Sequence, residues 1–287
     1  MSAENQVSYF AADPSWSKDD RVIYDLLVVL GSGTVYSAVY HNPQRNFVAL
    51  EELTFREGNT FRERWQQAIN ASQLLSGTGY RKVVLASDSR ISTLVPNPLY
   101  APGSAHLHLT FSNAVPENSM VVTDELSKID ARNIHAFAEE EHDAISACFP
   151  GAMIVHSSSK LIEHLSSVNK NTSRELIFTE VYNDHIRIVV LNGQGLLLHN
   201  TFSYENAEGL IYFILFTCEQ LQLNPESVRL RFAGRISDTD PAFGLARKYF
   251  RDAELIRRPE NFQYSPELDQ LPPHQHFTLY LQALCVS

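Results

Sequence analysis

Few side-chain clusters in the 287-residue sequence carry the spacing that chemistry needs. His106 and His108 stand at i, i+2, and His274 and His276 repeat that spacing after Pro272-Pro273. Two imidazoles so placed on a strand share a face and can ligate a metal, but no Cys or carboxylate completes either set. Both pairs therefore read as structural or surface histidines. Ser157-Ser158-Ser159 offers hydroxyls, yet no Gly-x-Ser-x-Gly elbow surrounds it, so it reads as a helix cap and not a nucleophile. Glu139-Glu140-Glu141 opens a helix, where negative charge suits the dipole. Cys148, Cys218 and Cys285 lie far apart in apolar contexts and read as buried free thiols of a reducing compartment. These groups yield no catalytic residue and no metal site.

The elements that would position a site are more legible. Residues 174–235 hold two hairpins: Leu176–Val181, a turn at Tyr182-Asn183-Asp184, an alternating strand through Ile186, Ile188 and Val190, a turn at 192–195, and a third strand from Leu196 to Phe202. Period-two alternation between Gly/Asn/Asp clusters is the hairpin signal. A helix to about Leu223 and a strand through Val228, Leu230 and Phe232 complete the unit, which ends at Gly234. Residues 21–89 show the same order: a strand from Val22 to Leu30, turn Gly31-Ser32-Gly33, strands 34–41 and 47–55, a helix from Thr60 to Leu75, and a buried strand at 83–87. Between the two units, 91–168 reads as a Pro-punctuated segment at 91–100, an ambiguous stretch at 101–113 with His106, His108 and Thr110 alternating like a strand, then strands, a helix at 139–148, an interior strand at 152–156 and a helix at 158–168. Polar residues 166–173 mark the boundary between domains 1–170 and 171–287. Residues 1–20 read as a polar arm. After 240 come a helix, a brief strand at 255–256, a Pro-rich loop, and a closing amphipathic helix on Phe277, Tyr280, Leu281 and Leu284.

The two unit helices differ. The first has one apolar stripe, on Phe61, Trp65, Ala68 and Ile69. The second keeps its stripe on Leu210, Ile211, Ile214 and Cys218 and adds Tyr212, Phe213 and Phe216 on a flank. A helix apolar nearly all round is buried on more than one side, against another domain or against a partner. Acidic residues outnumber basic ones by 33 to 23 with no Lys/Arg stripe, which argues against nucleic acid and anionic membrane surfaces as partners. No apolar run approaches the length that spans a bilayer. The N-terminus lacks the regions of a signal peptide, so a cytoplasmic location is expected.

A three-strand meander, helix and fourth strand, occurring twice, resembles the ribonuclease-H-like halves of actin-like ATPases. The fold expected is therefore α/β, two ribonuclease-H-like βββαβ domains in an actin-like ATPase arrangement. The segment at 91–168 and the closing elements are similar to those of bacterial actin-like proteins of pilus assembly and cell division. More narrowly, the chain resembles an uncharacterised bacterial family with a degenerate version of this fold. In the superfamily, hairpin turns in each half cradle nucleotide phosphates through backbone N–H groups, and a strand-end Asp in each half organises Mg²⁺. The resemblance places the first motif, Asp-x-Gly-(Ser/Thr) with a following Lys, on Val29-Leu30-Gly31-Ser32-Gly33-Thr34-Val35-Tyr36. Glycines and hydroxyls survive; the Asp position is Val29 and the Lys position Tyr36. The second motif falls on Thr179-Glu180-Val181, and the Gly-Gly adenosine turn on Ala233-Gly234-Arg235.

The resemblance with its anchors lost implies a non-catalytic binding or scaffold module without nucleotide. It would engage an unknown protein partner or itself through Tyr212, Phe213 and Phe216, or through 101–168, where pilus and division relatives carry assembly contacts. The alternative is a nucleotide-binding protein or slow ATPase that holds Mg-ATP at Gly31, Ser32, Gly33, Thr34, Asp184 and Gly234. A ribonuclease-H-type nuclease would instead need its two-metal carboxylates, for which Asp25, Glu63 and Asp88 occur in the right order. Against that, Glu63 sits on a polar helix face and Asp88 lies past its strand.

Overall fold

In a computed structural model of the protein, the described residues are 6–31, 33–54 and 60–287. Ser32 lies outside them. The chain divides into two compact units: the described residues of Met1–Lys160 with Pro259–Leu271 and Thr278–Ser287, and Leu161–Arg258 with Pro272–Phe277.

In the first unit, β1 (Gln6–Ala12) is followed by β2 (Asp25–Leu30), β3 (Thr34–His41), β4 (Asn46–Thr54), helix α1 (Phe61–Ala71) and β5 (Lys82–Ser87). β2, β3 and β4 pair antiparallel, and β5 pairs parallel with β2. Residues 6–12 of the segment expected as a polar arm instead form an edge strand: β1 pairs antiparallel with β4, and Val7, Ala12 and Trp16 pack against the core; residues 1–5 lie outside the described residues. Its apolar residues were sufficient to fix it once β4 offered an edge. Helix α1 stops at Ala71, short of the expected Leu75. Ser72 turns extended there, and the buried Glu51 carboxylate of β4 accepts from the Ser72 hydroxyl and, at 2.8 Å, from the Gln73 N–H.

Next come β6 (Ser92–Pro96), α2 (Ala105–Ser112), β7 (Ser119–Leu126), β8 (Ala131–Ala138), α3 (Glu139–Cys148), β9 (Met153–His156) and α4 (Ser157–Asn169). β6, β8 and β7 form a separate three-stranded sheet with the Pro-bearing β6 at its edge, where a missing N–H is tolerated. Residues 105–112 are helical, so His106 and His108 do not share a strand face; Leu109 is the residue that α2 buries. β9 joins the main sheet, whose order is β1-β4-β3-β2-β5-β9.

The second unit contains β10 (Leu176–Val181), β11 (His185–Asn192), β12 (Gly195–Ser203), α5 (Ala207–Gln220), β13 (Arg229–Gly234), α6 (Pro241–Tyr249) and β14 (Asp252–Leu255), in the sheet order β12-β11-β10-β13-β14. This is the same path as β4-β3-β2-β5-β9 in the first sheet. α5 and α6 cover one face through Ile211, Ile214, Phe243 and Ala246, against Ile177, Ile188 and Phe232. The brief strand expected at 255–256 begins earlier, at Asp252, because it aligns parallel with Arg229–Phe232. The chain then re-enters the first unit. Within the loop, β15 (Gln263–Tyr264) pairs with β4, and Phe262 meets Tyr40 and Phe47 edge-on. The closing helix α7 (Phe277–Leu281) is short and tightens into a 3-10 turn at Gln282–Cys285. Tyr280 packs edge-on to Phe47 within the first unit, and the Asn42 side chain donates to the Val286 carbonyl at 2.6 Å.

Candidate functional site

The turn between β2 and β3 is closed by its own backbone: the Gly31 N–H donates to the Thr34 carbonyl at 2.9 Å. Val29 and Tyr36, on which the resemblance places the Asp and Lys positions, are cross-strand partners. They lie directly opposite one another on one sheet face and form an apolar–aromatic pair. Val29 is buried and Thr34 is buried, while Gly33 is half-exposed.

The turn between β10 and β11 is filled by a polar cluster. Glu180 and Arg187 form a buried ion pair at 2.9 Å, and the Tyr182 hydroxyl donates to the same Glu180 oxygen at 2.8 Å. Burial pushes the Arg187 guanidinium down to about 9. The Tyr182 ring stacks on His185 with centroids 4.4 Å apart, and the Arg187 guanidinium lies 5.4 Å from that ring. Asp184 keeps an exposed carboxylate, 55% accessible, and its Oδ1 is 2.7 Å from His185 Nδ1. The backbone is committed too. The Tyr182 N–H donates to the His185 carbonyl, the Tyr204 hydroxyl to the Tyr182 carbonyl, and the Tyr204 N–H to the Asp184 carbonyl.

Gly234 ends β13 with a φ of +84°, and a Cβ there would overlap the Val181 carbonyl oxygen. Its N–H donates to the His274 carbonyl at 2.9 Å, and the Arg235 N–H to the Val181 carbonyl at 2.7 Å. The glycine is thus required by close backbone approach, and its N–H already has a partner inside the unit. His274 belongs to this turn, through its carbonyl and through its ring against the Ile236 carbonyl; burial lowers the ring's pKa.

The structure does not assemble the nuclease triad. Asp25 begins β2, where it pairs with Arg81; Asp88 follows β5, which pairs Ser87 with Leu30 at the other end of β2. Five residues of strand separate the two ends by about 17 Å.

Sequence reasoning missed a buried serine–histidine cluster around the start of α4. The His156 Nδ1 lies 2.6 Å from Ser158 Oγ, and its Nε2 lies 2.8 Å from the Ser89 carbonyl. A carbonyl only accepts, so Nε2 carries the proton and Nδ1 accepts from Ser158. Asp124 of β7 accepts from the His156 N–H at 2.7 Å and from Ser159 Oγ at 2.6 Å, and lies 3.8 Å from His135. Ser157 donates to Asp88 at 2.8 Å. Burial, then the nearby His135, push the His156 imidazole down to about 4. Burial opposes ionisation of Asp124, but His135, Ser159 and the His156 amide outweigh it and hold its pKa low. Ser158 and His156 have nucleophile–base spacing, but both are buried. The arrangement ties α4 to β7 and gives no substrate access. Its sequence signal was Asp124 near the end of β7, which no spacing rule connects to residue 156.

The model of the family DUF3822, described as a protein of unknown function, matches residues 14–253. The chain belongs to this family. Among solved structures, it is similar to a protein of Bacteroides thetaiotaomicron with an actin-like ATPase fold and unknown function. The match has a TM-score of 0.81 and 20% identity, covering 94% of this chain and 99% of that one. It is also similar to a chain of the PilM–PilN type IV pilus biogenesis complex, with a TM-score of 0.61 and 14% identity, covering 92% and 98%. The search of curated proteins returns no match. The DUF3822 chain thus has the actin-like ATPase fold expected from its element order.

On this DUF3822 chain the aromatic flank of α5 is partly open. Tyr212 is 59% and Phe216 37% exposed, with the two rings stacked at 6.0 Å. Phe213 is half-buried, stacked on Phe202 of β12 at 4.8 Å. A second apolar surface lies on α2, where Leu107 and Phe111, four residues apart, are 70% and 92% exposed. The strand-like alternation at 101–113 concealed that i, i+4 pair. No helix among the described residues is long and apolar enough to cross a membrane.

Proposed function

We propose that this DUF3822 protein is a non-catalytic actin-like module of the cytoplasm that works by binding proteins rather than nucleotide. The observation that carries the reading is the Val29/Tyr36 pair, which occupies both anchor positions of the first phosphate turn with side chains that hold neither Mg²⁺ nor phosphate. The second turn supports it: Thr179 and Val181 stand at the anchor positions, and Glu180, Arg187 and Tyr182 satisfy one another. That PilM, which shares the fold, was solved in complex with PilN supports a protein as partner. The exposed residues of α5 and α2 supply surfaces for one. Calorimetric titration of Mg-ATP and Mg-ADP into the purified protein tests the reading: no saturable heat is expected at high micromolar ligand.

A second reading, nucleotide binding or slow ATP hydrolysis at an atypical site, draws on Gly31, Ser32, Gly33 and Thr34, on Gly234, and on the exposed Asp184 carboxylate. Saturable Mg-ATP binding lost in Asp184→Ala would favour it and remove the first.

A further inference from the structure

Positive charge gathers around α6. Residues 229–258 hold eight Lys or Arg against four Asp or Glu, in a chain whose formal net charge is −10. A pocket of about 550 Å³ opens there, between β13, the last turn of α6 and β14. Arg231, Arg247 and Arg251 line it, together with Asp252 and Glu254. All of these residues belong to the second unit.

The two carboxylates are already matched. Arg231 Nη1 lies 2.7 Å from Asp252 Oδ1, Arg174 Nη2 lies 2.9 Å from Asp252 Oδ2, and Arg231 Nη2 lies 3.3 Å from Glu254 Oε2. Two arginines thus balance two acids. Arg247 and Arg251 form no ion pair among the described residues. The Arg247 guanidinium rests 5.8 Å from the Phe243 ring centre, which places the cation without neutralising it. A basic residue in the last turn of α6 suits the helix dipole, but Arg251 lies beyond the helix, so the dipole does not account for both. Burial, then the charges of Arg231 and Arg174, lower the pKa of the adjoining Arg229, as crowded cations do.

We infer that this pocket is a docking site for an acidic segment of a partner protein, whose Asp or Glu carboxylates are taken by Arg247 and Arg251. Guanidinium forks match carboxylates through parallel N–H donors. A polynucleotide or an anionic bilayer would bring its charge against the acidic remainder of the surface, whereas a short segment confines its charge to the pocket. Sites for small molecules are mostly apolar and enclose their ligand. Here charged side chains dominate the lining, and Arg247 and Arg251 are exposed. The pocket is also separate from the phosphate turns: it adjoins Arg231, and the Gly234 turn ends the same strand three residues, or about 10 Å, further on. The inference rests on the protein-binding reading and names the chemistry of one partner contact.

The test is fluorescence anisotropy of a labelled octa-glutamate peptide titrated with the full chain at low and high salt, with octa-glutamine and pyrophosphate as comparisons. Saturable binding of octa-glutamate is expected, weakening as salt rises, with none for octa-glutamine. Arg247→Gln/Arg251→Gln should raise the dissociation constant at least about tenfold with unchanged circular dichroism. Arg62→Gln, at an exposed arginine of α1, should leave it within about twofold. By NMR of the wild type, the side-chain Nε–H signals of Arg247 and Arg251 should shift on titration, which decides the question even if the double variant misfolds. Absence of octa-glutamate binding, an equal loss in Arg62→Gln, or unmoved Arg247 and Arg251 signals overturns the site. Tighter binding of pyrophosphate than of the peptide overturns the partner and makes this a pocket for small anions. Saturable Mg-ATP binding lost in Asp184→Ala would count against the protein-binding reading without altering the peptide titration, so the two failures are distinguishable.

Discussion

Gly234 holds a backbone conformation at φ +84° that L side chains rarely adopt, against a carbonyl that leaves no room for a Cβ. Gly234→Ala should therefore destabilise the protein by at least about 1–3 kcal/mol, read as a lowered denaturant midpoint. An ordinary midpoint would mean the turn relaxes freely. The Glu180–Arg187 pair makes a sharper prediction, because both side chains are buried. Glu180→Ala leaves an uncompensated charge and should cost about 3–5 kcal/mol, whereas Glu180→Leu with Arg187→Met should recover much of the loss. If the single substitution is harmless, the cluster does not hold the turn. Two imidazoles, one buried and one half-buried, give the protein an acid limb. Burial pushes His164 down to about 4, and burial with the neighbouring His135 does the same to His156. From pH 6.5 down to about 4 the unfolded chain binds the protons that the folded one refuses, so stability present above pH 6.5 is lost as pH falls. Each unit of displacement is worth about 1.4 kcal/mol per group. Burial raises the Glu51 carboxyl and so acts in the opposite sense, softening the limb. Urea unfolding at stepped pH should show the decline, and His164→Leu should make it shallower.

At the scale of elements, the hairpins were legible because period two, bounded by Gly, Asn and Asp, has one physical meaning. Ile186, Ile188 and Val190 face the α5 core as their alternation required. What escaped was decided by distant partners. β1 needed the edge of β4, and the end of α1 needed the Glu51 carboxylate, twenty-one residues before Ser72 in sequence. Residues 105–112 alternate like a strand yet coil, which puts Ala105 and the buried Leu109, four residues apart, against one core. The site followed the same division. The residue types at the expected anchor positions were visible, but the Val29–Tyr36 pairing and the Glu180–Arg187–Tyr182 cluster depend on register and rotamer. Glu51→Ala should unfasten the α1–β5 connection, and the amides of Gln73 and Leu74, its hydrogen-bond donors, should then exchange faster by NMR. Unchanged exchange there would place the stop signal of α1 elsewhere.

For the molecule as a whole, the boundary between units is not a cut in the chain. The first unit includes Pro259–Leu271 and Thr278–Ser287, and Leu279, Tyr280 and Leu281 are buried. A fragment ending at residue 160 lacks Phe262, Tyr264 and Tyr280, which cover the Phe47 ring. Such a fragment should express as an insoluble or molten species, while adding 259–287 in trans or by a linker should restore a cooperative melt. A cooperative melt of 1–160 alone would show that this aromatic cover is dispensable.

That returning tail sets a clock during synthesis. Domains commonly fold as they leave the ribosome, N-terminal part first, while translation adds about 5–20 residues per second. Here the last aromatic that the N-terminal sheet needs is residue 280, so its Phe47 side stays uncovered for roughly ten seconds after residue 160 is made. A ribosome that stalls within that interval releases a sheet with an open apolar face, the sort of nascent chain that chaperones hold and proteases remove. Completion of the first unit thus waits on synthesis of the second.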